Sequence, residues 1–465
     1  MYRKLLLLGM TACLCGCLKP TAYQRPTPPV PAAWPQSAAA QASTPDAPEA
    51  SNIKWQDFFP DKKLQSVIDL ALANNRDLRV AALNVEKVQA MYRIQRAEQF
   101  PTVSASASAD YYRLPRSLSS NDKPSTTGQT TVGVGVASWE LDLFGRIRSL
   151  KSAALERFLA SQQAQSAAQI ALVAGVSNTY LALAADRDSL RLAQVTFDAQ
   201  QATYELIRQS REAGMASDLE VRQAQSQVEA ARVDIARYSG QISLDENALN
   251  LLVGSTVPSD LLPSELGSDG SLKDVAAGLP SDVLLRRPDI LMAEHQLKSA
   301  NANIGAARAA FFPRISLTAA TGVLSDNLQN LFRKGPETWE FAPQIGIPIF
   351  DAGARKANLK VAQADRDIAV AEYEKAIQTA FREVSDSLSQ RTKLLEQQRS
   401  QQDLVDSLQA TYNLSDARYK AGIDSYLSVL VAQRSLYGGQ QGLVSLRLAR
   451  LSNLVTLYKV LGGGA

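Results

Sequence analysis

The 465 residues carry 49 Lys+Arg against 46 Asp+Glu, a formal net charge of +3, and removing Arg3 and Lys4 with an N-terminal leader leaves 47 against 46. That balance points to no nucleic-acid partner. A single histidine, His295, and five methionines leave neither a His-based metal site nor a methionine-lined copper path with the ligands it needs.

Arg3 and Lys4 precede an apolar run, Leu5 to Leu8, and the segment ends at Leu14-Cys15-Gly16 before Cys17. The apolar stretch is about ten residues, half the roughly twenty a spanning helix needs, so residues 1–16 read as an export signal peptide. Small residues ahead of a cysteine, in place of an ordinary small-residue cleavage site, favour a lipoprotein. Cys17 then takes a diacylglycerol, becomes the first residue of the mature chain and receives a further acyl chain, enough for stable anchoring. Leu18 follows, not an aspartate that would favour inner-membrane retention. The alternative is an ordinary signal peptide with Cys17 lying near the cut. Cys13, Cys15 and Cys17 are the only cysteines, so the mature chain can form no internal disulfide. Residues 17–54, rich in Pro, Ala, Ser and Gln, predict an extended tether without a packed core of its own.

Residues 55–256 form the first of two similar halves. Trp55 to Pro60 reads as irregular, and residues 61–99 as a helix. Beyond Phe100-Pro101, Val103, Ala105, Ala107, Ala109 and Tyr111 alternate with Ser104, Ser106, Ser108 and Asp110. After a polar loop, Ser117 to Gln129, Val132, Val134 and Val136 alternate with Gly133, Gly135 and Ala137, so both stretches predict strands with one apolar face. From Gly145 to Gly214 the chain is Ala-, Gln-, Leu- and Glu-rich without proline. Apolar residues recur there at helical spacing, as in Leu155, Phe158, Leu159 and Val173, Val176, Tyr180. One helix of about 100 Å is expected. Gly214 ends it, Ser217 caps the next, and a return helix covers 217–252.

Residues 257–281 read as an irregular equatorial linker, and 282–465 as the second half. Its helix covers 282–311. Ile315, Leu317 and Ala319 form one strand, a loop runs near Asp326 to Thr338, and Phe341, Ile345, Ile347 and Ile349 form the other, weakened by Pro343 and Pro348. A second long helix runs from Gly353 to Gly422, and a return helix covers 424–460 with Ser425 as its cap. Gly438-Gly439 inside that last helix serves either a bend or close packing. The halves match at a spacing of about 210 residues: Asp77 with Asp289, Arg96-Ala97 with Arg308-Ala309, Phe100-Pro101 with Phe312-Pro313, and Ala224-Gln225 with Ala432-Gln433. Gly145 to Gly214 and Gly353 to Gly422 both span 69 residues. His295 falls in a helix and reads as a helix-surface or packing residue.

The fold class predicted is thus a mixed α and β membrane protein with an internal repeat. The short helices, about 45 to 57 Å each, pair end to end to match one long helix, as in a tube wall. Four strands of about ten residues suit an outer membrane. They cannot close a barrel, because open edges in hydrocarbon leave backbone groups unpaired. Several chains must share one barrel, and strand arithmetic alone allows a dimer or a trimer.

Several segments together resemble the outer-membrane factor family of TolC-like exit ducts, and within it the OprM-type lipoprotein branch of resistance-nodulation-division drug efflux pumps. They are Trp55-Gln56-Asp57-Phe58-Phe59, Ala71-Leu72-Ala73-Asn74-Asn75-Arg76-Asp77-Leu78-Arg79, Trp139-Glu140-Leu141-Asp142-Leu143-Phe144-Gly145-Arg146, Gly278-Leu279-Pro280-Ser281 and Arg286-Arg287-Pro288-Asp289-Ile290. The resemblance covers essentially the whole mature chain. It implies a homotrimer with a 12-stranded outer-membrane β-barrel continuous with a long α-helical periplasmic barrel, a passive exit duct for drugs and other small molecules. Its partners would be a periplasmic membrane-fusion adaptor, an inner-membrane RND transporter and outer-membrane lipid, with no cofactor beyond the lipid on Cys17.

Carried over by the repeat, the adaptor-docking tips are Gly214, Met215, Ala216 and Ser217, and Gly422, Ile423, Asp424 and Ser425; the glycines are turn formers in either case. The resemblance places the gate just beyond the second tip, at Leu427 with Val431 behind it and an acidic contribution from Asp424. Val431 departs from the family, which often holds an aspartate there, so a mostly apolar gate would lose the cation block of an acidic ring. Tyr419 and Glu220 match positions that latch inner to outer helices, the hydroxyl donating to the carboxylate. An enzyme is disfavoured because no nucleophile is paired with a base, and a coiled-coil adaptor or adhesin because it has no use for a lipid-facing band. Within the fold, a type I secretion or metal-efflux duct is the alternative.

Overall fold

The computed structural model describes residues 23–31, 33–34, 53–120, 122–267, 272–273, 275 and 286–463. The leader, Cys17, most of the tether, the middle of the linker and residues 282–285 lie outside the described residues. In chain order the helices and strands are α1 (Trp55–Phe58), α2 (Lys62–Asn74), α3 (Arg76–Ala97), β1 (Val103–Leu114), β2 (Ser125–Glu140), α4 (Arg146–Glu212) and α5 (Asp218–Val253). They continue as α6 (Pro288–Ala309), β3 (Arg314–Ser325), β4 (Glu337–Gly346), α7 (Ala354–Lys420) and α8 (Tyr426–Val460). The two long helices, α4 and α7, are each 67 residues. The chain divides into two units, one holding residues 85–161 and 293–373 with the leading segment up to 27, the other holding 28–84, 162–292 and 374–465.

The first unit contains an antiparallel four-stranded sheet in the order β1-β2-β3-β4. Its register pairs Val103 with Val136, Ala105 with Val134 and Ala107 with Val132. On the other side of β2, Val132 faces Val323 and Val136 faces Ala319. In turn Ala319 faces Phe341, Thr321 faces Trp339 and Ile315 faces Ile345. Directly opposed residues project from the same face, so one face collects these Val, Ala, Ile, Phe and Trp side chains. The other collects Ser104, Ser106, Gly133, Gly135, Gly322 and Glu340. On the apolar face Val103, Trp339, Phe341 and Ile345 are exposed.

β2 is longer than the sequence pattern predicts: it starts at Ser125, and the polar stretch expected to be loop pairs through Arg113 with Thr126 and Tyr112 with Thr127. A backbone ladder continues without an apolar face. β4 is shorter, ending at Gly346 and leaving Ile347 and Ile349 outside the strand, because Pro348 cannot donate to a ladder. Pro343 does sit within β4, opposite Leu317, where an edge strand tolerates it. A bulge between Val136 and Trp139, with Ser138 at φ 51°, re-aims the end of β2.

Carboxylates start both long helices. Asp142 accepts from the backbone N–H of Ile147 (3.1 Å) and Arg148 (2.8 Å), and Asp351 from those of Gly353 (3.1 Å) and Arg355 (3.0 Å), satisfying otherwise orphaned donors. Glu140 receives Arg146 on both oxygens at 2.8 Å and Arg314 at 2.9 Å. The leading segment docks on α6: Arg25 donates to both oxygens of the buried Glu294 at 3.1 and 2.7 Å. His295 packs with its Nδ1 2.7 Å from Glu156 Oε2.

In the second unit, Trp55 to Pro60 departs from the irregular reading: Trp55–Phe58 is a helical turn with a buried core. Phe58 and Phe59 are fully buried, and Phe58 stacks on Tyr458 with centroids 4.1 Å apart. The Tyr458 hydroxyl donates to the Ile53 carbonyl at 2.6 Å. The helix expected over 61–99 is two helices broken at Asn75. The Asn75 side chain caps α3 by accepting from Leu78 N–H (2.7 Å) and donates to the Leu252 carbonyl (2.7 Å). Gly254 ends α5 at φ 77°, and a Cβ there would collide with the Asn74 backbone. Arg287, buried before Pro288 at the start of α6, grips both Asp289 oxygens (3.0 and 2.7 Å), Glu383 (2.8 Å) and the Val460 carbonyl at the end of α8 (2.8 Å).

Candidate functional site

The two turns at the ends of α4 and α7 are built alike. Gly214 and Gly422 have φ 76° and 71°. Met215 N–H donates to the Ser210 carbonyl and Gly214 N–H to Arg211, and Ile423 and Gly422 repeat this on Arg418 and Tyr419, all at 2.8 to 2.9 Å. This is the paired hydrogen-bond pattern that closes a helix through a left-handed residue. No atom would crowd a Cβ at either glycine, so backbone conformation alone selects them. An ion pair braces each turn, Arg211 with Asp218 at 2.8 Å and Arg418 with Asp424 at 2.6 Å. Sequence reasoning missed both pairings, although an Arg shortly before each glycine and an Asp shortly after it are visible in the sequence.

The two turns differ at the helix that follows. Ser217 accepts from Glu220 N–H while the Glu220 carboxylate accepts from Ser217 N–H at 2.7 Å, a complete capping box on α5. Ser425 occupies the same position before α8, but its side chain makes no capping hydrogen bond, contrary to expectation. Its third helical residue is Ser428, which cannot complete the box. The expected Tyr419–Glu220 latch is also corrected. Glu220 accepts from the Ser217 hydroxyl and N–H, and no hydrogen bond joins it to Tyr419 among the described residues. Burial, and then the Glu220 charge, raise the Tyr419 hydroxyl, so the two groups are near without being bonded.

The hairpins meet through an apolar cluster of Ile207, Ala224, Tyr426, Val429 and Leu430, flanked by Tyr204, Tyr412 and Tyr419. Burying Tyr426, Val429 and Leu430 turns the opposite side of α8 outward. Leu427 and Val431, one turn apart on that side, are 53% and 56% exposed, and Met215 and Ile423 at the turns are exposed too. The structure thus brings Leu427 and Val431 onto one open face. Arg418 holds the Asp424 carboxyl below its usual range, so the carboxylate stays ionised and pairs with Arg418 across the turn. Gly439 serves close packing, since a Cβ there would press on Leu408, whereas Gly438 faces open space.

The chain matches the family described as Outer membrane efflux protein over residues 67–255 and 279–463. It belongs to that family. Like the other members, this outer membrane efflux protein is a channel component of an efflux pump, sited in the outer membrane. It is 49% identical over 466 residues to the antibiotic efflux pump outer membrane protein ArpC of Pseudomonas putida, covering 100% of this chain and 96% of ArpC. The same figures hold for the toluene efflux pump outer membrane protein TtgC, also of Pseudomonas putida. Among solved structures, the open-state MtrE outer membrane channel of Neisseria gonorrhoeae superimposes with a TM-score of 0.88 at 36% identity, covering 96% of this chain and 98% of MtrE. For an outer membrane efflux protein the one-sided sheet has an immediate physical reading: its apolar face suits hydrocarbon and its small, polar face suits a water-filled lumen.

Proposed function

We propose that three copies of this chain share a twelve-stranded barrel and serve a resistance-nodulation-division pump as a lipid-anchored exit duct. Its cargo would be drugs and small aromatic solvents, the classes that the names of ArpC and TtgC carry. The observation behind this reading is the sheet: one apolar face and an open edge at each of β1 and β4. Open edges are intolerable in hydrocarbon until another copy pairs with them. Acylation at Cys17 holds the leading segment at the bilayer, and residues 257–281 link the repeats 55–256 and 282–465. The turns at Gly214–Ser217 and Gly422–Ser425 dock the periplasmic adaptor through exposed Met215 and Ile423. Leu427 rings from three copies, backed by Val431, close the duct. With Asp424 neutralised by Arg418, the closure is apolar and excludes ions by dewetting.

Mass in detergent and conductance in planar bilayers test the reading. A trimeric mass with small, rare openings is expected. A monomer without channel activity refutes the shared barrel.

A further inference from the structure

The two ends of the sheet differ in how their cations are held. At the end joined to the helices, Arg146, Arg148, Arg314 and Arg355 each hold a carboxylate. The opposite end carries the connection from β1 to β2 and the connection from β3 to β4. Arg113, Arg116 and Lys123 surround the first, and Arg333 and Lys334 lie in the second. All five are exposed, and among the described residues none holds a carboxylate. Asp122, Asp326 and Glu337 are the acids at that end, so cations are in excess there.

Register decides which way the first of these cations points. Side chains alternate along a strand, so Val103, Ala105, Ala107 and Ala109 on the apolar face of β1 are followed on the same face by Tyr111 and Arg113. From Val103 to Tyr111 the strand rises about 27 Å. At the usual tilt that crosses about 20 Å, close to the height of the apolar band on an outer-membrane barrel. Tyr111 lies across Gly128, where a Cβ would collide with its ring, and is 61% exposed. From Ala109 to Arg113 this column passes from alkyl to aromatic to guanidinium, as a surface does where hydrocarbon gives way to headgroups. The loops also carry exposed apolar side chains beside the cations, Leu118, Leu328 and Phe332. Water alone rewards neither group, whereas an amphiphile with acyl chains and an anionic head contacts both.

The leaflet of an outer membrane at this end is built of phosphorylated glycolipid. Guanidinium and ammonium groups with no protein partner are the donors its phosphates require. We propose that this rim is a binding surface for the outer-leaflet glycolipid. Arg113 is the phosphate contact nearest the hydrocarbon, and Arg116, Lys123, Arg333 and Lys334 complete the cationic rim. The inference rests on the apolar face lying in hydrocarbon and is independent of how many copies share a barrel.

The test titrates the purified full-length protein in detergent with bisphosphorylated lipid A, monophosphoryl lipid A and phosphatidylglycerol, counting retained lipid by native mass spectrometry. Two phosphates should bind better than one, and either better than phosphatidylglycerol. Arg113→Ser should weaken lipid A binding about fivefold, and R113S/R116S/K123S about a hundredfold. K123S/K334S, confined to the loops, should weaken it about thirtyfold and keeps the test should the strand change disturb assembly. Arg366→Ser, which removes a cation from α7, should leave binding unchanged. Equal affinity for phosphatidylglycerol, undiminished binding in both multiple variants, or an equal loss in Arg366→Ser overturns the proposal. A monomeric mass with phosphate-dependent binding leaves it standing and refutes the shared barrel, while a trimer that retains no lipid A refutes this proposal alone.

Discussion

Replacing Arg287 with alanine removes one side chain that joins three helices, the start of α6, the middle of α7 and the end of α8. The Arg287 side chain is 9% exposed and makes four hydrogen bonds, two to Asp289, one to Glu383 and one to the Val460 carbonyl. Stripping one partner from a buried ion pair costs about 3–5 kcal/mol when the remaining charge stays dry. Here Asp289 and Glu383 are 41% and 35% exposed, so water recovers part of that, and a loss of about 2–3 kcal/mol is expected. The Val460 carbonyl, at the negative end of α8, contributes to it because Arg287 is the cation that donates to it. Thermal unfolding in detergent should show the midpoint falling by on the order of 5 °C. Arg287→Lys should recover less than half, since an ammonium cannot span two carboxylates and a carbonyl in one plane. An unchanged midpoint for Arg287→Ala, or full recovery by lysine, would refute the assignment of this arginine as a geometric clamp.

Cys17→Ala is expected to abolish incorporation of radiolabelled palmitate, and a retained label would place the anchor elsewhere. Ser217→Ala should weaken the first turn of α5 by about 1 kcal/mol, read as faster amide exchange there; Ser425→Ala should leave α8 nearly unaffected, and equal effects would contradict the observed capping difference. The Asp186 carboxyl is pushed up to about 7 by burial and by the neighbouring Asp245, against a partial opposing pull from Arg237. Its folded value lies above its unfolded one, so the folded state holds the extra proton between about pH 4 and pH 7, and stability falls as pH rises through that window. The unfolding midpoint should drop from pH 5 to pH 8 in the parent and drop less in Asp186→Asn; an identical slope in both would exclude Asp186 as the source.

The long helices were legible because nothing in 69 residues interrupts them and a glycine closes each. The strands were legible because period two on one face is rare outside sheets. What escaped were features decided by partners distant in sequence. Asn75 looks like any polar helix residue until Leu252 supplies an acceptor for its amide. Trp55–Phe58 gains its helical turn from burial against Tyr458, near the other end of the chain. At the turns the error was one of competition. Ser217 and Glu220 spell a capping box in the sequence itself, and that local hydrogen bond claims the carboxylate assigned to Tyr419. Ser425 lacks a glutamate three residues on, so the same motif predicts the difference between the two caps.

The open edges of β1 and β4 also set an order of events for the cell. Helices such as α4 and α7 satisfy their own backbone in water and can form while a chain is still alone. The sheet cannot enter hydrocarbon alone, because a row of unpaired N–H and C=O groups would go with it. In the proposed shared barrel, encounter between chains precedes or accompanies insertion, and the insertion rate should climb more steeply than in proportion to the concentration of newly exported chains. With the lipid proposed at Cys17, the chains would search for one another in two dimensions at the bilayer surface, which would shorten that encounter step.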